Sequence, residues 1–348
     1  MTRSTSEPPR VSAVVVVYDT TAPRLDRCLA ALRASKGVEV EVIVVDNASP
    51  RPVHAPLAHR VLERRTNGGF AAGVNDGVRA ASAPFIAVVN DDAVVEPHAL
   101  RRCVDALVAS PRNVLAASPK VLFADVESPT LDSCGVVVRP TGEAFSAGAG
   151  QPDLGQFDAD RTVLGPCLST AVFRAEAFAT VGMLDERYFL YYEDIDWALR
   201  SFLGGHDTVF VPSAVVHHEH AASTRSLGER RRFRLVQRNL LLCATANLSW
   251  PSVARVWSAR MVAMAKAMVK GPDRVSLAAA LCAAVVRTPS TLRARRTRRR
   301  AATRHDHAAF AFAHGLVPFV DTASYRPSDP SAALAAATAR LTRRGTHG

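Results

Sequence analysis

Residues Val11 to Tyr18 read VSAVVVVY, an apolar run of strand length that hardly alternates. Continuous rather than alternating hydrophobicity predicts a parallel strand covered on both faces. Leu25, Cys28, Leu29 and Leu32 then recur at helical spacing and predict a helix over 26–35. A second apolar strand is predicted at Val40–Val45, ending in Asp46-Asn47, followed by a helix after Gly69. A third, Phe85–Val89, ends in Asn90-Asp91-Asp92. Strand and helix alternate, with polar residues gathered where strands stop, and open α/β sheets bind ligands beyond the carboxyl ends of their strands.

The alternation continues with a helix after Glu96 and a strand over Val114–Leu122. Residues 139–164, rich in Gly, Pro, Asp and Ala, predict a surface loop able to close over a site. Order returns at Val163–Phe173, then a helix at Glu193–Leu203 and a short strand at Thr208–Val211. Beyond Ser226 the pattern turns helical: Arg230–Asn247 and Val253–Val269 are amphipathic, Leu277–Val286 is apolar, and Arg293–Arg304 holds seven arginines. The organisation predicted is an α/β catalytic domain at 10–225, with a mostly parallel sheet flanked by helices, then a helical basic extension at 226–304 and a tail at 305–348.

Composition narrows the class. With 48% hydrophobic and 22% charged residues the chain is neither disordered throughout nor a multispanning membrane protein. Lys plus Arg number 43 against 32 Asp plus Glu, a formal +11 that suits an anionic partner. Six scattered cysteines without a C-x-x-C pair argue against a zinc knuckle or a disulfide framework and suit a reducing, cytoplasmic setting. The polar start, Met1–Arg10, predicts no secretory signal, and no uncharged apolar run is long enough to predict a transmembrane helix.

Five constellations carry chemistry. Asp46-Asn47 follows a buried strand, where a carboxylate can accept from a base N–H or ribose hydroxyl; an Asx-turn is the equal alternative. Asn67-Gly68-Gly69, running on through Asn75, opens a helix whose N-terminus favours a diphosphate, although such turns also use glycine for geometry alone. It matches neither the dinucleotide fingerprint nor the P-loop. Asn90-Asp91-Asp92 places adjacent acids at a strand end, a set of hard oxygen ligands suited to Mg²⁺ or Mn²⁺. Glu193-Asp194-Ile195-Asp196 puts three carboxylates in four positions beside Tyr191 and Tyr192, and one could deprotonate an acceptor hydroxyl. His217-His218-Glu219-His220 offers imidazoles of which one is a candidate metal ligand.

Taken in order, VSAVVVVYD, VIVVDNAS, NGGFAAGVNDG, VVNDD, GPCLSTAVFRAEAFATVGMLDERYFLYYEDIDWALR and VVHHEHAAS resemble the inverting family 2 glycosyltransferases, particularly their bacterial rhamnosyltransferase-like branch. The resemblance covers about 10–225 and implies a GT-A, Rossmann-like fold. It implies donor contacts from Tyr18, Asp46, Asn47, Gly68, Gly69, Asn75 and Asp91. It assigns the cation, Mg²⁺ or Mn²⁺, to Asp92, Asn90 and His218, with His217 in reserve. His218 stands five residues before Ser223, as the late histidine of the family usually does. Asp194, paired with Glu193, matches the catalytic base. Two positions depart from the pattern: Asp19 follows Tyr18 where Tyr-Asn is usual, and Asn90 stands where many relatives have an acid.

The implied reaction is one displacement at the anomeric carbon, with Asp194 taking the proton of the attacking hydroxyl and the cation and Gly68-Gly69 backbone receiving the departing diphosphate. The implied donor is a nucleotide-diphosphate sugar, of rhamnose or another deoxyhexose, and the acceptor a glycan or polyprenyl-linked glycan of the cell envelope. A nucleotidyltransferase would share the sheet and acids but needs a basic Gly-rich loop, whereas Tyr18-Asp19-Thr20-Thr21 is neutral to acidic. An inactive GT-A-like binding protein is the other rival. The extension lacks the aromatic interleaving of a nucleic-acid binder. Trp257, Met261, Met264 and Met268 at helical spacing, with the arginines after them, fit an anionic membrane surface; packing on the catalytic domain or a homodimer is the alternative.

Overall fold

The structure, a computed structural model, describes residues 7–124, 126, 128–219, 228–270, 274–314 and 316. His220, Ser223 and all of the 305–348 tail beyond 314 save Leu316 lie outside the described residues. The chain begins β1 (Arg10–Val17), α1 (Ala22–Arg33), β2 (Glu39–Asp46), β3 (Arg60–Glu63), α2 (Phe70–Ala80), β4 (Phe85–Asn90), β5 (Ala93–Val95) and α3 (Ala99–Ala109). It continues with β6 (Val114–Phe123), β7 (Leu131–Ser133), β8 (Val136–Val138), β9 (Ala144–Ser146), β10 (Arg161–Val163), β11 (Thr170–Arg174), α4 (Glu176–Thr180) and α5 (Glu193–Leu203). Then come β12 (Asp207–His218), α6 (Glu229–Asn247), α7 (Trp250–Lys270), α8 (Arg274–Ala301) and α9 (Asp306–Ala311).

The main sheet runs β10-β12-β6-β11-β4-β1-β2-β3. β4, β1, β2 and β3 form one parallel block and β12 and β6 another, joined by β11, which is antiparallel to both neighbours. Two reversals cancel, so β1, β2, β4, β6 and β12 all point the same way. Their carboxyl ends, carrying Tyr18, Asp46, Asn90 and His218, share one edge. The unbroken β1 run is explained by helices on both sides. Val11, Ala13, Val15 and Val17 pack with Leu25, Leu29 and Leu32 of α1 and Leu100, Val104 and Leu107 of α3. Val14 and Val16 pack with Ala71, Val74 and Val78 of α2. A further core joins Ile195 and Leu199 of α5 to Leu240 of α6, Val256 of α7, Leu281 of α8 and Phe310 of α9. The extension thus shares a core with the helix that carries the predicted base.

Several readings are corrected. α1 starts at Ala22 because Pro23, with its fixed φ, fits the first helical turn. β12 runs to His218, past a register shift between Val211 and Val215 that hides its second half from a pattern search. The 139–164 segment is a surface loop only in its second half, where 154–156 and 158–160 are exposed; in its first half β8 and β9 pair, Ala144, Ala147 and Gly150 are buried, and Tyr192 Oη donates to Gly142 O at 3.0 Å. Small residues there allow close packing instead of exposure. The Arg293–Arg304 run is not simply a solvated stretch. Arg295 donates to Thr245 O, Arg298 to Asp185 and Asp196, Arg299 to Asn247 O and Asp306, and Arg304 to Asp207. Only Arg293, Arg296 and Arg300 of the run are exposed. Likewise Trp257 turns inward, donating to Thr245 Oγ1 at 3.0 Å, and Met264 packs on the extension core. Val275–Ala301, within α8, is long and apolar enough by composition to cross a membrane, against the expectation of no such helix; 33% of its apolar window is buried in the protein.

α2 lies close to β1 only because its facing residues are small: a Cβ on Gly77 would overlap Val14 Cγ1. Gly77→Ala is therefore expected to destabilise the fold by about 1–3 kcal/mol despite its better helix propensity, as overpacking does. A lowered urea midpoint at unchanged slope checks this; an unchanged or raised midpoint contradicts it.

Candidate active site

The acidic turn Asn90-Asp91-Asp92 leaves β4 at the shared edge, and β5 immediately pairs with the end of β12, setting His218 opposite Ala93 and His217 opposite Val94. Strand alternation sends the two imidazoles to opposite faces. His218 is buried, with Nε2 3.0 Å from Asp92 Oδ1 and Nδ1 2.7 Å from Asp132 Oδ2. His217 is more exposed and meets Glu96 at 3.4 Å. Asn90 Nδ2 stands 3.5 Å from His218 Nε2, and its backbone N–H donates to Ser169 O at 2.8 Å. Burial alone would lower the His218 pKa, but Asp132 and Asp92 hold it well above the ordinary histidine value. Asp91 is raised to about 6 by burial and by Asp92, against the opposing influence of Thr20 and Arg24.

The second half of the site enters through a strained turn. Leu190 N donates to Tyr188 O at 2.8 Å around Phe189, whose φ of 67° and ψ of −58° are those of the rarer, positive-φ γ-turn. Tyr191 and Tyr192 follow at φ 69° and 73°. Three bulky residues in such conformations cost on the order of 1–3 kcal/mol each and persist only where surroundings enforce them. The turn throws the Phe189 carbonyl onto the start of α2, where Phe70 N donates to it at 2.7 Å. It also delivers Glu193 and Asp194 to the first turn of α5.

Glu193 is buried and its Oε2 has no hydrogen-bond partner among the described residues. Burial, then the neighbouring Asp194, raises its pKa to about 8, so it is neutral at pH 7. Asp194 is half-buried, accepts from Ile195 N at 2.7 Å, and is raised by burial to about 6. Cys167 links the two halves: it sits 3.4 Å from Ser169 Oγ, and both Asp132 and Asp194 raise its thiol pKa after burial does.

The predicted donor residues divide. Tyr18 is exposed at the edge and Asp46 caps its own turn, accepting from Ser49 N at 2.8 Å. The Gly turn is not poised for a diphosphate in the way its glycines suggest. Gly68 N donates to Asn47 Oδ1, Gly69 N to Asn67 Oδ1 and Phe70 N to Phe189 O. Gly69, at φ 86°, is needed because a Cβ there would overlap the Phe189 carbonyl. Asn47 is buried and braces this turn through Asn67 and Gly69 O. Asn75, expected as a donor contact, is buried, and its amide is engaged by Leu184 N, Leu184 O and Glu186. Asp132, Cys167 and Ser169, which no sequence motif singles out, also lie in this region.

Asp92 and His218 fit a divalent cation by their chemistry, and Asp132 on the second ring nitrogen is the carboxylate–histidine arrangement that orients a metal-binding imidazole. Among the described residues no group of three or more His, Cys, Asp or Glu side chains is gathered to hold a metal unaided. That suits Mg²⁺-type sites, which take one or two carboxylates and complete their shell with phosphate and water.

Comparison with known proteins bears on the family and the fold. The family model for glycosyl transferase family 2 matches residues 12–182. The N-acetylglucosaminyl-diphospho-decaprenol L-rhamnosyltransferase of Mycobacterium tuberculosis is 29% identical over 249 residues, covering 62% of this chain and 78% of that one. The succinoglycan biosynthesis protein ExoO of Rhizobium meliloti is 31% identical over 126 residues, covering 34% of this chain and 36% of that one. Among solved structures, the mannosyltransferase PcManGT of Pyrobaculum calidifontis, in complex with GDP-Man and Mn²⁺, is 19% identical with a TM-score of 0.50, covering 88% of this chain and 86% of that one. GalNAc-T7 with UDP, GalNAc and Mn²⁺ is 12% identical with a TM-score of 0.53; 68% of this chain is matched, and it spans about half, 48%, of the GalNAc-T7 chain. These structural likenesses show a shared GT-A fold, and with the family model matched over just under half of the chain and the rhamnosyltransferase relative they support one assignment, a family 2 glycosyltransferase.

Proposed function

We propose that this chain is a metal-dependent, inverting glycosyltransferase that moves a sugar, rhamnose or another deoxyhexose, from a nucleotide-diphosphate donor to a polyprenyl-linked glycan in cell-envelope polysaccharide synthesis. The observation that carries the reading is a buried Asp92–His218–Asp132 set at the carboxyl edge of the sheet together with a half-buried carboxylate, Asp194, presented at the first turn of α5. The mycobacterial relative supports the sugar and the lipid-linked acceptor.

Asp194 takes the proton of the acceptor hydroxyl as its oxygen bonds to the anomeric carbon, and the bond from that carbon to the diphosphate breaks on the opposite face. One displacement inverts the centre, so no second carboxylate nucleophile is required. A divalent cation, Mg²⁺ or Mn²⁺, held by Asp92 and His218 with Asn90 alongside, supplies positive charge for the departing diphosphate when bound. Asp132 fixes the tautomer in which His218 presents Nε2. Asp91, beside Asp92, adds negative charge to the cation side, and Tyr18 and Asp46 border the nucleotide.

A cytoplasmic enzyme peripheral on the plasma membrane fits the lipid-linked acceptor. Met261 and Val262 of α7 and Val275 and Val286 of α8 are exposed, and Arg287, Arg293 and Arg296 are exposed on α8. Residues 230–305 hold 18 Lys and Arg against one acid, Asp273. Apolar tips ringed by cations bind anionic interfaces, each cation near the surface contributing about 1 kcal/mol.

A panel of nucleotide-sugars, read by released nucleoside diphosphate, tests the activity. No release from any donor leaves the binding-protein alternative. With the active donor, EDTA and Asp92→Asn are each expected to remove most turnover, with Mg²⁺ or Mn²⁺ restoring the wild type only. Full turnover in chelator contradicts the metal assignment.

Asp194→Asn is expected to lower kcat by about 10²- to 10⁴-fold with donor KM nearly unchanged. Because the base acts when deprotonated, wild-type rate should rise with pH through about 6. A rate falling over that range, or small equal losses at Glu193→Gln and Asp194→Asn, contradicts the assignment.

Co-sedimentation with anionic but not neutral vesicles, weakened by salt and by Arg293→Ala with Arg296→Ala, is expected of the membrane surface. Sedimentation indifferent to lipid charge contradicts it, and self-association instead would assign the face to a homodimer.

A further inference from the structure

The turn that presents Asp194 is held from outside the matched family region by two side chains of the extension. Asn239 of α6 is fully buried, and its amide donates to three carbonyls of the turn: Tyr188 O at 3.0 Å, Leu190 O at 2.9 Å and Tyr191 O at 2.7 Å. Arg298 of α8 spans the segment from end to end. One guanidinium nitrogen lies 2.7 Å from Asp185 Oδ2, before the turn, and another 2.7 Å from Asp196 Oδ1, after it. Tyr188 Oη and Asn247 Nδ2 donate to the same Asp196 oxygen at 2.8 Å each, while Arg200 Nε holds the other at 2.9 Å. Arg238 adds a bond to Tyr188 O at 2.8 Å.

Phe189, Tyr191 and Tyr192 adopt positive φ, which bulky residues leave unless held. Two donors that each reach several points of one short segment meet that need. Without Arg298, the Asp185 and Asp196 carboxylates bracketing the turn would lose the cation they share. Without Asn239, three carbonyls pulled into register would have no common donor.

We propose that Asn239 and Arg298 are positioning residues: they hold the 185–196 segment in the strained form that docks the Phe189 carbonyl on the start of α2 and presents Asp194 at the first turn of α5, so the helical extension is part of the catalytic apparatus. The proposal rests on Asp194 as the base, and it touches neither donor nor cation directly. Misplacing a reacting group by about 1 Å can cost on the order of 10²-fold in rate.

The test uses the full chain and the donor found active in the panel, comparing Asn239→Ala, Arg298→Gln, Arg298→Lys and Asp194→Asn. Asn239→Ala and Arg298→Gln are expected to lower kcat by about 10- to 100-fold with donor KM within about threefold. Arg298→Lys should recover part of the loss because an ammonium can keep one of the two ion pairs. Titration with the nucleoside diphosphate of that donor separates positioning from a loss of folded protein: one site per chain with wild-type affinity is expected of each variant. Reduced stoichiometry matching the fall in kcat, in every variant, would overturn positioning in favour of mere folding support. Wild-type kcat in Asn239→Ala and Arg298→Gln, with Asp194→Asn inactive, would overturn the proposal and leave the base assignment standing. Wild-type kcat in Asp194→Asn would instead remove the base reading, and this proposal with it. Should Arg298→Gln fail to fold, Asn239→Ala and Arg298→Lys decide.

Discussion

The structure depends on how a carboxylate with no solvent exposure, Asp196, keeps its charge. Burial alone would raise its pKa, yet Arg298 foremost and then Arg200, with Asn247 and Tyr188, hold it down to about 2. Removing one partner from such a set typically costs about 3–5 kcal/mol, because the remaining charge is left uncompensated. The chain therefore folds with α8 docked against α5. The helix bearing Asp194 cannot then be treated separately from the arginine-rich extension, even though the two are about a hundred residues apart in sequence.

A second constraint runs the other way. At the sheet edge, Asp92 and Asp132 flank one imidazole, Asp91 lies beside Asp92, and Asp194 acts on Cys167 from the other side. Acids at this density cannot all be charged without cations. Among the described residues, Arg24 acts on Asp91 from nearby, and burial together with the neighbouring acids raises the Asp91 and Glu193 carboxyls. The remaining negative potential suits a divalent ion and repels a bare diphosphate, which is why the acidic cluster and a phosphate donor are chemically compatible only together with a cation.

How much of this could be read from sequence depended on whether a residue's partners were local. The buried β1 run, the acidic turn after β4 and the helix Glu193–Leu203 follow from periodicity, which is a property of neighbours. Those signals also separated nothing about direction: GG before a helix looked like a diphosphate cradle, whereas the close approach that requires Gly69 comes from the Phe189 carbonyl, 120 residues later in the chain. Asn75 looked like a ligand contact for the same reason and braces Leu184, 109 residues away. Asp132 carried no periodic or motif signal, since a lone acid in a three-residue strand becomes meaningful only when His218 is brought to it.

The arginine run shows the same limit at the level of charge. Net charge counts Arg293 to Arg304 as seven equivalent cations. Helical geometry divides them, since residues three or four apart share a face. Arg295, Arg298 and Arg299 lie on the inward face of α8 and end on Thr245 O, Asp196 and Asn247 O, whereas Arg293, Arg296 and Arg300 lie on the outward face and are exposed. The inward three are desolvated and engaged with specific acceptors, so salt screens them little, while the outward three keep their hydration and respond to ionic strength. One basic helix therefore does two physically distinct things: its inner face neutralises buried carboxylates beside the active site, and its outer face sets the field that any anionic surface meets.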